Sequence, residues 1–158
     1  MKKGYIISLT DPDRGSEKEI SVIKPGSVFA YILSDLKPCI EADVLCNGVS
    51  IHIPRVLFDT GANITAINPK VIPNGVRGNN EEIEIHGAHS SGVSSVHYCS
   101  ISLGAGEIVL ANVPVNAFDL DVYDVTDTDL IIGMDVITLG TLTVKKAGRL
   151  PMFSFEVS

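Results

Sequence analysis

Alternating apolar and polar positions dominate the chain from residue 40 onward. In residues 40–46 every second side chain is apolar, and Asn47-Gly48 follows, a pair that favours a tight hairpin turn. The alternation resumes at Val49, Ile51 and Ile53. A period of two is typical of strands that bury one face, so this stretch predicts a β-hairpin.

A second and longer hairpin is predicted further along the chain. Ile83 and Ile85 alternate with glutamates up to Gly87, and a run from Val93 to Leu103 follows Gly92. Glycines on both sides of a small polar tip allow the backbone there many conformations. The pattern therefore predicts a long hairpin with a mobile tip.

The remaining signals also indicate mainly strands. Gly104-Ala105-Gly106 predicts a turn into a strand over Ile108 to Val115, and Met152 to Val157 is the last strand candidate. Helical signals are limited to a short helix over Asp135 to Leu139 and a single turn over Pro69 to Ile72. The chain is therefore expected to be all-β with one short helix.

The order of elements repeats once within the chain. Residues 56–58 are an apolar triplet that runs into Asp59-Thr60-Gly61, and residues 130–132 are an apolar triplet that runs into Gly133. A glycine at such a position indicates a sharp turn of a buried strand, because it has no Cβ to obstruct the turn. Only the first copy has an acid and a hydroxyl at the turn, which makes Asp59 the candidate catalytic residue.

Composition limits the classes of function. The chain has 158 residues, 45% hydrophobic content and a formal net charge of -7, which fits one packed domain and opposes binding to nucleic acid. The basic cluster of Lys145, Lys146 and Arg149 fits a solvated hairpin turn better than a phosphate-binding surface. No apolar run approaches the length needed to span a membrane.

The cysteines and the N-terminus bear on location. Cys39, Cys46 and Cys99 are an odd number of thiols without CxxC spacing, which fits reduced thiols in a reducing compartment. The apolar run behind Lys2-Lys3 is too short for the core of a signal peptide. We therefore expect a cytoplasmic protein that does not associate with membranes.

At this point a set of residues resembles a known family. Asp59-Thr60-Gly61-Ala62, preceded by residues 56–58 and followed by Thr65 and Ile67, resembles the active-site loop of retropepsin-like aspartic proteases. Ile131-Ile132-Gly133 resembles the hydrophobic-hydrophobic-glycine element that crosses behind that loop in the family. The order of these motifs is more specific than Asp-Thr-Gly alone.

Two further features place the resemblance within the family. The hairpin over Gly87 to Gly92 lies where the family has its substrate-covering flap. Gly133-Met134-Asp135 and the final aromatic strand with Phe153 and Phe155 resemble the ending of cellular and bacterial single-domain members. The resemblance covers residues 40–157.

The resemblance implies a fold and a domain division. A small closed β-barrel with a flap hairpin and one short helix is expected over residues 40–158. Residues 1–39 lie outside it as an N-terminal extension, either a further structural layer or a regulatory segment. The exposed ends Tyr5 to Leu9 and Met152 to Val157 are expected to interleave into an intermolecular sheet in a homodimer.

The resemblance also implies a mechanism and site residues. Peptide hydrolysis without a metal or a covalent nucleophile needs a base and an acid, and two close carboxylates that share one proton provide both. Asp59 from each of two chains is expected to form this pair, Thr60 to join the two loops, and Gly61 to let substrate backbone approach. The expected contacts to a polypeptide substrate come from Ala62, Asn63, Gly87, Ala88, His89 and Ile132.

Departures from the family pattern leave a second interpretation open. Viral members usually have an Asp after the Ala and an Arg after the second Gly, and Asn63 and Met134 take these places here. The histidines His86 and His89 near the flap tip are also unusual. A non-catalytic dimeric module that binds peptides or proteins on the same fold is the alternative to an aspartic endopeptidase.

No metal or cofactor is expected. His86, His89, His97 and Cys99 do not have the spacing of a common zinc site, and they fall on opposite arms of the long hairpin. The acidic loop over residues 119–129 does not fit the calcium-loop pattern, because it lacks the required glycine and glutamate. Exposed polar side chains explain both groups.

Overall fold

The computed structural model describes residues 19–33, 35–73, 79–86, 91–123 and 127–158. Within these ranges the chain is mostly β, with single 3-10 turns at Pro69–Val71 and Leu120–Tyr123. In chain order the elements are β1 (Ser21–Val22), β2 (Val28–Ile32), β3 (Cys39–Cys46), β4 (Val49–Phe58), β5 (Ala66–Ile67), β6 (Asn79–His86), β7 (Ser91–Leu103), β8 (Ile108–Ala117), β9 (Leu130–Ile132), α1 (Met134–Ile137), β10 (Gly140–Ala147) and β11 (Leu150–Val157).

Six of the strands form a closed barrel. Neighbouring strands follow the order β8, β5, β9, β4, β3, β7, and a pairing between β7 and β8 closes the ring. The pairs β4 with β9 and β5 with β8 are parallel, so the barrel is mixed. The all-β closed barrel with one short helix is confirmed.

The first predicted hairpin has the predicted turn. β3 and β4 pair antiparallel up to Cys46 and Val49. Asn47 and Gly48 both have positive φ, 50° and 82°, the left-handed pair that a two-residue hairpin turn of this type requires. The apolar side chains of β3 at Ala42 and Val44 are buried in the barrel core, so the period of two is confirmed there.

The second predicted hairpin is also confirmed at the level of its strands. β6 and β7 pair antiparallel from Asn79 and Val96 to His86 and Ser91. The tip, with Gly87, Ala88 and His89, lies outside the described residues. The assignment of this tip as a substrate-covering flap stays a prediction.

A three-stranded sheet packs against the strand that leads to Asp59. Its order is β10, β11, β2, and the rings of Phe29, Phe153 and Phe155 lie 5.8, 6.0 and 5.4 Å from that of Phe58. Phe58 is the residue immediately before Asp59. This aromatic cluster packs a large buried apolar area against the end of β4 that leads to Asp59.

Part of the N-terminal extension belongs to this scaffold. β1 pairs with β8, and β2 pairs with β11. The position of a domain boundary at residue 39 is a prediction that these pairings do not decide. They do show that residues 21–32 add strands to both sheets.

The expected interleaving of Met152 to Val157 with a second chain is wrong in one respect. β11 lies between β10 and β2, so both of its edges already have partners in the same chain. The two-residue turn around Gly148 makes the pairing of β10 with β11 local, and closing so short a loop costs little entropy. The other predicted segment, Tyr5 to Leu9, lies outside the described residues.

The short elements agree closely with expectation. α1 covers Met134–Ile137 and overlaps the helix predicted over Asp135 to Leu139. The single turn predicted over Pro69 to Ile72 is present as the 3-10 turn at Pro69–Val71. Lys145, Lys146 and Arg149 are exposed around the β10–β11 turn, as predicted. In the described part of the chain, no helix is long and apolar enough to cross a membrane.

Candidate active site

Asp59 follows directly on β4, a strand with one buried face, and reaches the surface. β4 runs parallel to β9, with Phe58 opposite Ile132, and the Asp59 N–H continues this pairing by donating to the Ile132 carbonyl at 2.9 Å. The Asp59 residue is partly exposed, while Thr60 and Gly61 are exposed. The strand pairing therefore sets the position of a carboxylate that solvent or a ligand can reach.

The loop orients this carboxylate with its own main chain. The Gly61 N–H donates to Asp59 Oδ1 at 2.8 Å, and the Ala62 N–H donates to the Asp59 carbonyl at 3.2 Å. A Cβ at Gly61 would lie 3.2 Å from Asp59 Oδ1, a tight contact at the atom that the turn orients. Glycine leaves the carboxylate free of this contact.

The segment from β9 to α1 crosses behind the loop. The Met134 N–H donates to the Ala62 carbonyl at 2.8 Å, and the Asp135 N–H donates to the Asn63 carbonyl at 3.2 Å. A Cβ at Gly133 would lie 2.5 Å from the carbonyl carbon and 2.9 Å from the nitrogen of Ile64. The crossing that the resemblance implies is present, and its main-chain bonds join Met134 to Ala62 and Asp135 to Asn63.

Asp135 adds a side-chain connection that the sequence analysis missed. Its carboxylate accepts hydrogen bonds from the Thr65 hydroxyl at 2.8 Å, the Thr65 N–H at 3.1 Å and the Val136 N–H at 2.9 Å. The Thr65 hydroxyl in turn accepts the Gly133 N–H at 3.2 Å. The available signal was an acid directly after Gly133-Met134 together with a hydroxyl residue that follows the Asp59 loop.

The predicted substrate-binding residues fall into three groups: those in the Asp59 loop, those between β6 and β7, and Ile132 in β9. Ala62 is partly exposed and Asn63 is exposed, both in the loop beside Asp59. Gly87, Ala88 and His89 lie outside the described residues.

Ile132, also predicted to bind substrate, is fully buried in the main core. Its neighbour Ile131 packs instead with Ala66 and Leu120 in a separate small cluster, which Ala62 borders. Because of its burial, the Ile132 side chain offers no surface to a ligand. Ile131 is the apolar residue of β9 on the side of the loop.

The sequence matches one family over the part of the chain that forms this site. A family profile described as aspartyl protease matches residues 41–136, more than half of the chain. The match includes both the Asp59 loop and the Gly133 crossing. The chain belongs to this aspartyl protease family.

Two solved structures are similar to this chain. The solution structure of the simian foamy virus (mac) protease has 19% sequence identity and a TM-score of 0.38, over 60% of this chain and 86% of that chain. The crystal structure of a retropepsin-like aspartic protease from Rickettsia conorii has 14% identity and a TM-score of 0.43, over 85% of this chain and 98% of that chain. No curated protein matches the sequence.

Two of the residues considered for a metal site, His97 and Cys99, have described side chains, and both are buried on β7, so the expectation that they are exposed is wrong. His97 is buried on β7, with Nδ1 3.6 Å from Cys46 Sγ, and burial lowers the pKa of its imidazole. Burial also raises the pKa of the Cys99 thiol, with a further contribution from Cys46. His97 is therefore expected to be neutral and Cys99 to be a thiol.

The ionisation of Asp135 leads to a prediction for stability. Burial raises the pKa of its carboxyl to about 6, although hydrogen bonds from Thr65 and Val136 favour the carboxylate. Because this pKa lies above the usual value, ionising Asp135 costs stability as the pH rises from about 4 to about 6. We therefore expect the difference in free energy of unfolding between Asp135→Asn and wild type to change by about 1–3 kcal/mol in favour of the variant as the pH rises from about 4 to about 7.

The measurement is denaturant unfolding of both proteins at several pH values. Only the difference between them is used, since the contribution of His97, which is lost as the pH falls, is common to both. The same holds for all other titrating groups away from the substitution. A difference that stays constant from about pH 4 to about pH 7 would contradict the prediction.

Proposed function

We propose that this aspartyl protease is an endopeptidase in which two chains each contribute Asp59 to a shared catalytic pair. The observation that carries the proposal is the Asp59-Thr60-Gly61 loop, which is exposed at its tip and attached from behind by the Gly133 crossing. The equivalent turn after β9 has Gly133 and no acid. Within one chain the site therefore has half of the required carboxylates.

The chemistry explains why a second copy is needed. One carboxylate takes a proton from water as the water attacks the peptide carbonyl, and a protonated carboxyl gives a proton to the leaving nitrogen. Two carboxyls a short distance apart share one proton, because like charges cannot both ionise there, and this provides both roles. A single partly exposed Asp59 provides only one of them.

The proposed homodimer is centred on the exposed loop. Thr60 and Gly61 are the residues that a second loop reaches first, and the Thr60 hydroxyl can donate or accept across that contact. Because β11 is paired on both sides within the chain, exchange of this strand is not part of the proposal. The proposed substrate is a polypeptide, with Ala62 and Asn63 beside it.

The proposed location is the cytoplasm. Cys39, Cys46 and Cys99 are free and buried, which suits a reducing compartment where no disulfide is required. Fractionation of the native source, with the purified protein as a standard, tests this.

The test of the function is incubation of the purified protein with a diverse peptide library at several pH values from about 4 to about 7, with mass spectrometry of the products. We expect cleavage that is fastest on the acid side of neutrality, because one carboxyl of the pair must keep its proton. A pepstatin-like inhibitor is expected to slow cleavage and to raise the melting temperature. Peptides that stabilise the protein but are never cleaved would support the binding module instead.

A further inference from the structure

We infer that Asp135 is a positioning residue, which acts through the Thr65 hydroxyl to fix the Asp59 loop and the direction of the Asp59 carboxylate. The inference rests on the proposed function for its meaning in catalysis. It concerns a residue that has no direct contact with the reacting atoms. The contacts of Thr65, the attachment of the loop and the choice of a carboxylate each support it.

Thr65 is the residue through which Asp135 reaches the loop. Its N–H and its hydroxyl both donate to the Asp135 carboxylate, at 3.1 and 2.8 Å. The same hydroxyl accepts the Gly133 N–H at 3.2 Å, so its proton and one lone pair are both used. Thr65 is fully buried, and water does not compete for these bonds.

The bonds continue along the loop toward Asp59. Ala62 and Asn63 accept main-chain bonds from Met134 and Asp135. At the other end of the loop, the Asp59 N–H donates to the Ile132 carbonyl. The Asp59 loop is thus attached at both of its ends to one short stretch of chain, residues 132–135.

The catalytic carboxylate is oriented between these two attachments. The Gly61 N–H, which lies between them, donates to Asp59 Oδ1 at 2.8 Å. A shift at the Thr65 end moves the main chain of Ala62 and Gly61. The orientation of the Asp59 carboxylate then changes as well.

A role limited to capping the short helix does not explain this arrangement. Three groups donate hydrogen bonds to the Asp135 carboxylate, and only one of them, the Val136 N–H, belongs to the first turn of α1. Capping this four-residue helix would use that one donor alone. The other two donors belong to Thr65, which is 70 positions away in sequence. A carboxylate accepts from all three at once, whereas an amide at the same place turns a donor toward one of them.

The first experiment measures the loop without using peptidase activity. We expect Thr65→Val, which removes the hydroxyl at nearly constant volume, to raise hydrogen exchange of the Gly61 and Ala62 amides by about tenfold or more. Thr65→Ser keeps the hydroxyl and is expected to stay within about twofold of wild type. Asp135→Asn replaces Thr65→Val as the test if the latter does not fold.

Thr128→Val is a matched control. Thr128 is also buried, and its hydroxyl donates to the Arg55 carbonyl and accepts the Leu130 N–H at 3.2 Å, at the far end of β9 from the Asp59 loop. It therefore loses hydroxyl hydrogen bonds of the same kind without a contact to the loop. Equal changes in Gly61 exchange for Thr65→Val and Thr128→Val, or no change for Thr65→Val, would overturn the inference.

The second experiment measures kinetics on a peptide that the wild type cleaves. Misplacing a catalytic group by about 1 Å costs on the order of a hundredfold in rate, so Thr65→Val is expected to lower kcat by about 10–100-fold with KM within about threefold. Because Asp135 acts through Thr65, the double variant Asp135→Asn, Thr65→Val is expected to lose no more than about threefold beyond the worse single variant. Multiplicative losses would show that the two residues act independently and would overturn the inference.

The two experiments also separate this inference from the proposed function. If the wild type cleaves no peptide under any of these conditions, the proposed function is contradicted. The exchange of the Gly61 and Ala62 amides still decides whether Asp135 and Thr65 position the loop.

Discussion

Asp59→Asn is expected to lower kcat/KM on peptides by about a thousandfold or more while leaving the fold intact. Asparagine has nearly the same shape and still accepts the Gly61 N–H through Oδ1, so the loop keeps its conformation. It cannot take a proton from water or give one to the leaving nitrogen, and general acid–base catalysis is lost. The measurement is cleavage of a peptide selected from the library, with protein free of contaminating protease.

Asp119→Asn is the matched control for this substitution. Asp119 Oδ1 accepts the Asp121 N–H at 3.0 Å, the same two-residue turn that Asp59 forms with Gly61. Its activity is expected to remain within about twofold of wild type, because the exposed Asp119 carboxylate has no part in the proton transfers assigned to Asp59. Comparable peptidase activity in Asp59→Asn would contradict the proposed mechanism.

The same variant tests whether the catalytic pair spans two chains. Wild type and Asp59→Asn are unfolded, mixed in equal amounts and refolded together, so that subunits pair at random. Only dimers of two wild-type chains are active, so activity per wild-type chain is expected to fall to about half. Unchanged activity per wild-type chain would show that one chain is sufficient.

Gly133→Ala is expected to destabilise the protein by about 4 kcal/mol or more. The added Cβ would lie 2.5 Å from the carbonyl carbon of Ile64 and closer still to its carbonyl oxygen. These are main-chain atoms of a buried segment attached on both sides, so they cannot move away as a flexible side chain would. Clashes of this kind belong to the small class of substitutions with very large effects on stability.

Denaturant unfolding of Gly133→Ala is compared with that of Gly26→Ala. Gly26 has φ of 85°, and a Cβ there has no atom within 4 Å, so the control costs only the strain of a left-handed alanine, about 1 kcal/mol. We expect the activity of any folded Gly133→Ala to fall with its stability, because Gly133 lies directly behind the Asp59 loop. A cost no larger than that of Gly26→Ala would show that the crossing is looser than the structure indicates.

Local features of this protein follow from the sequence alone. The period of two in residues 40–46 and the Asn47-Gly48 pair predict the first hairpin, because side-chain alternation and turn chemistry act between residues close in sequence. Asp59 could be identified in the same way, since an acid after an apolar triplet and before Thr-Gly is a local pattern. Its position at the end of β4 agrees with that prediction.

Other features were decided only by the tertiary structure. β11 carries the predicted strand pattern, but nothing in that pattern states that β2 and β10 are its neighbours. β10 was not predicted as a strand, although Leu142 and Val144 alternate there with threonines and a lysine, because so short an alternation does not state whether a partner strand is available. Strand neighbours depend on loop closure and on the packing of distant side chains, such as Phe29 against Phe58, which a local pattern does not contain.

The site shows the same division between local and distant information. β9 is buried on both faces, so its apolar run has no alternation to tell Ile131, beside the loop, from Ile132, in the core. The hydrogen bonds between Asp135 and Thr65 join residues 70 positions apart. The sequence by itself determined which residue is the candidate for the chemistry, and the tertiary structure decided which residues contact its loop, because these contacts exist only after the barrel closes.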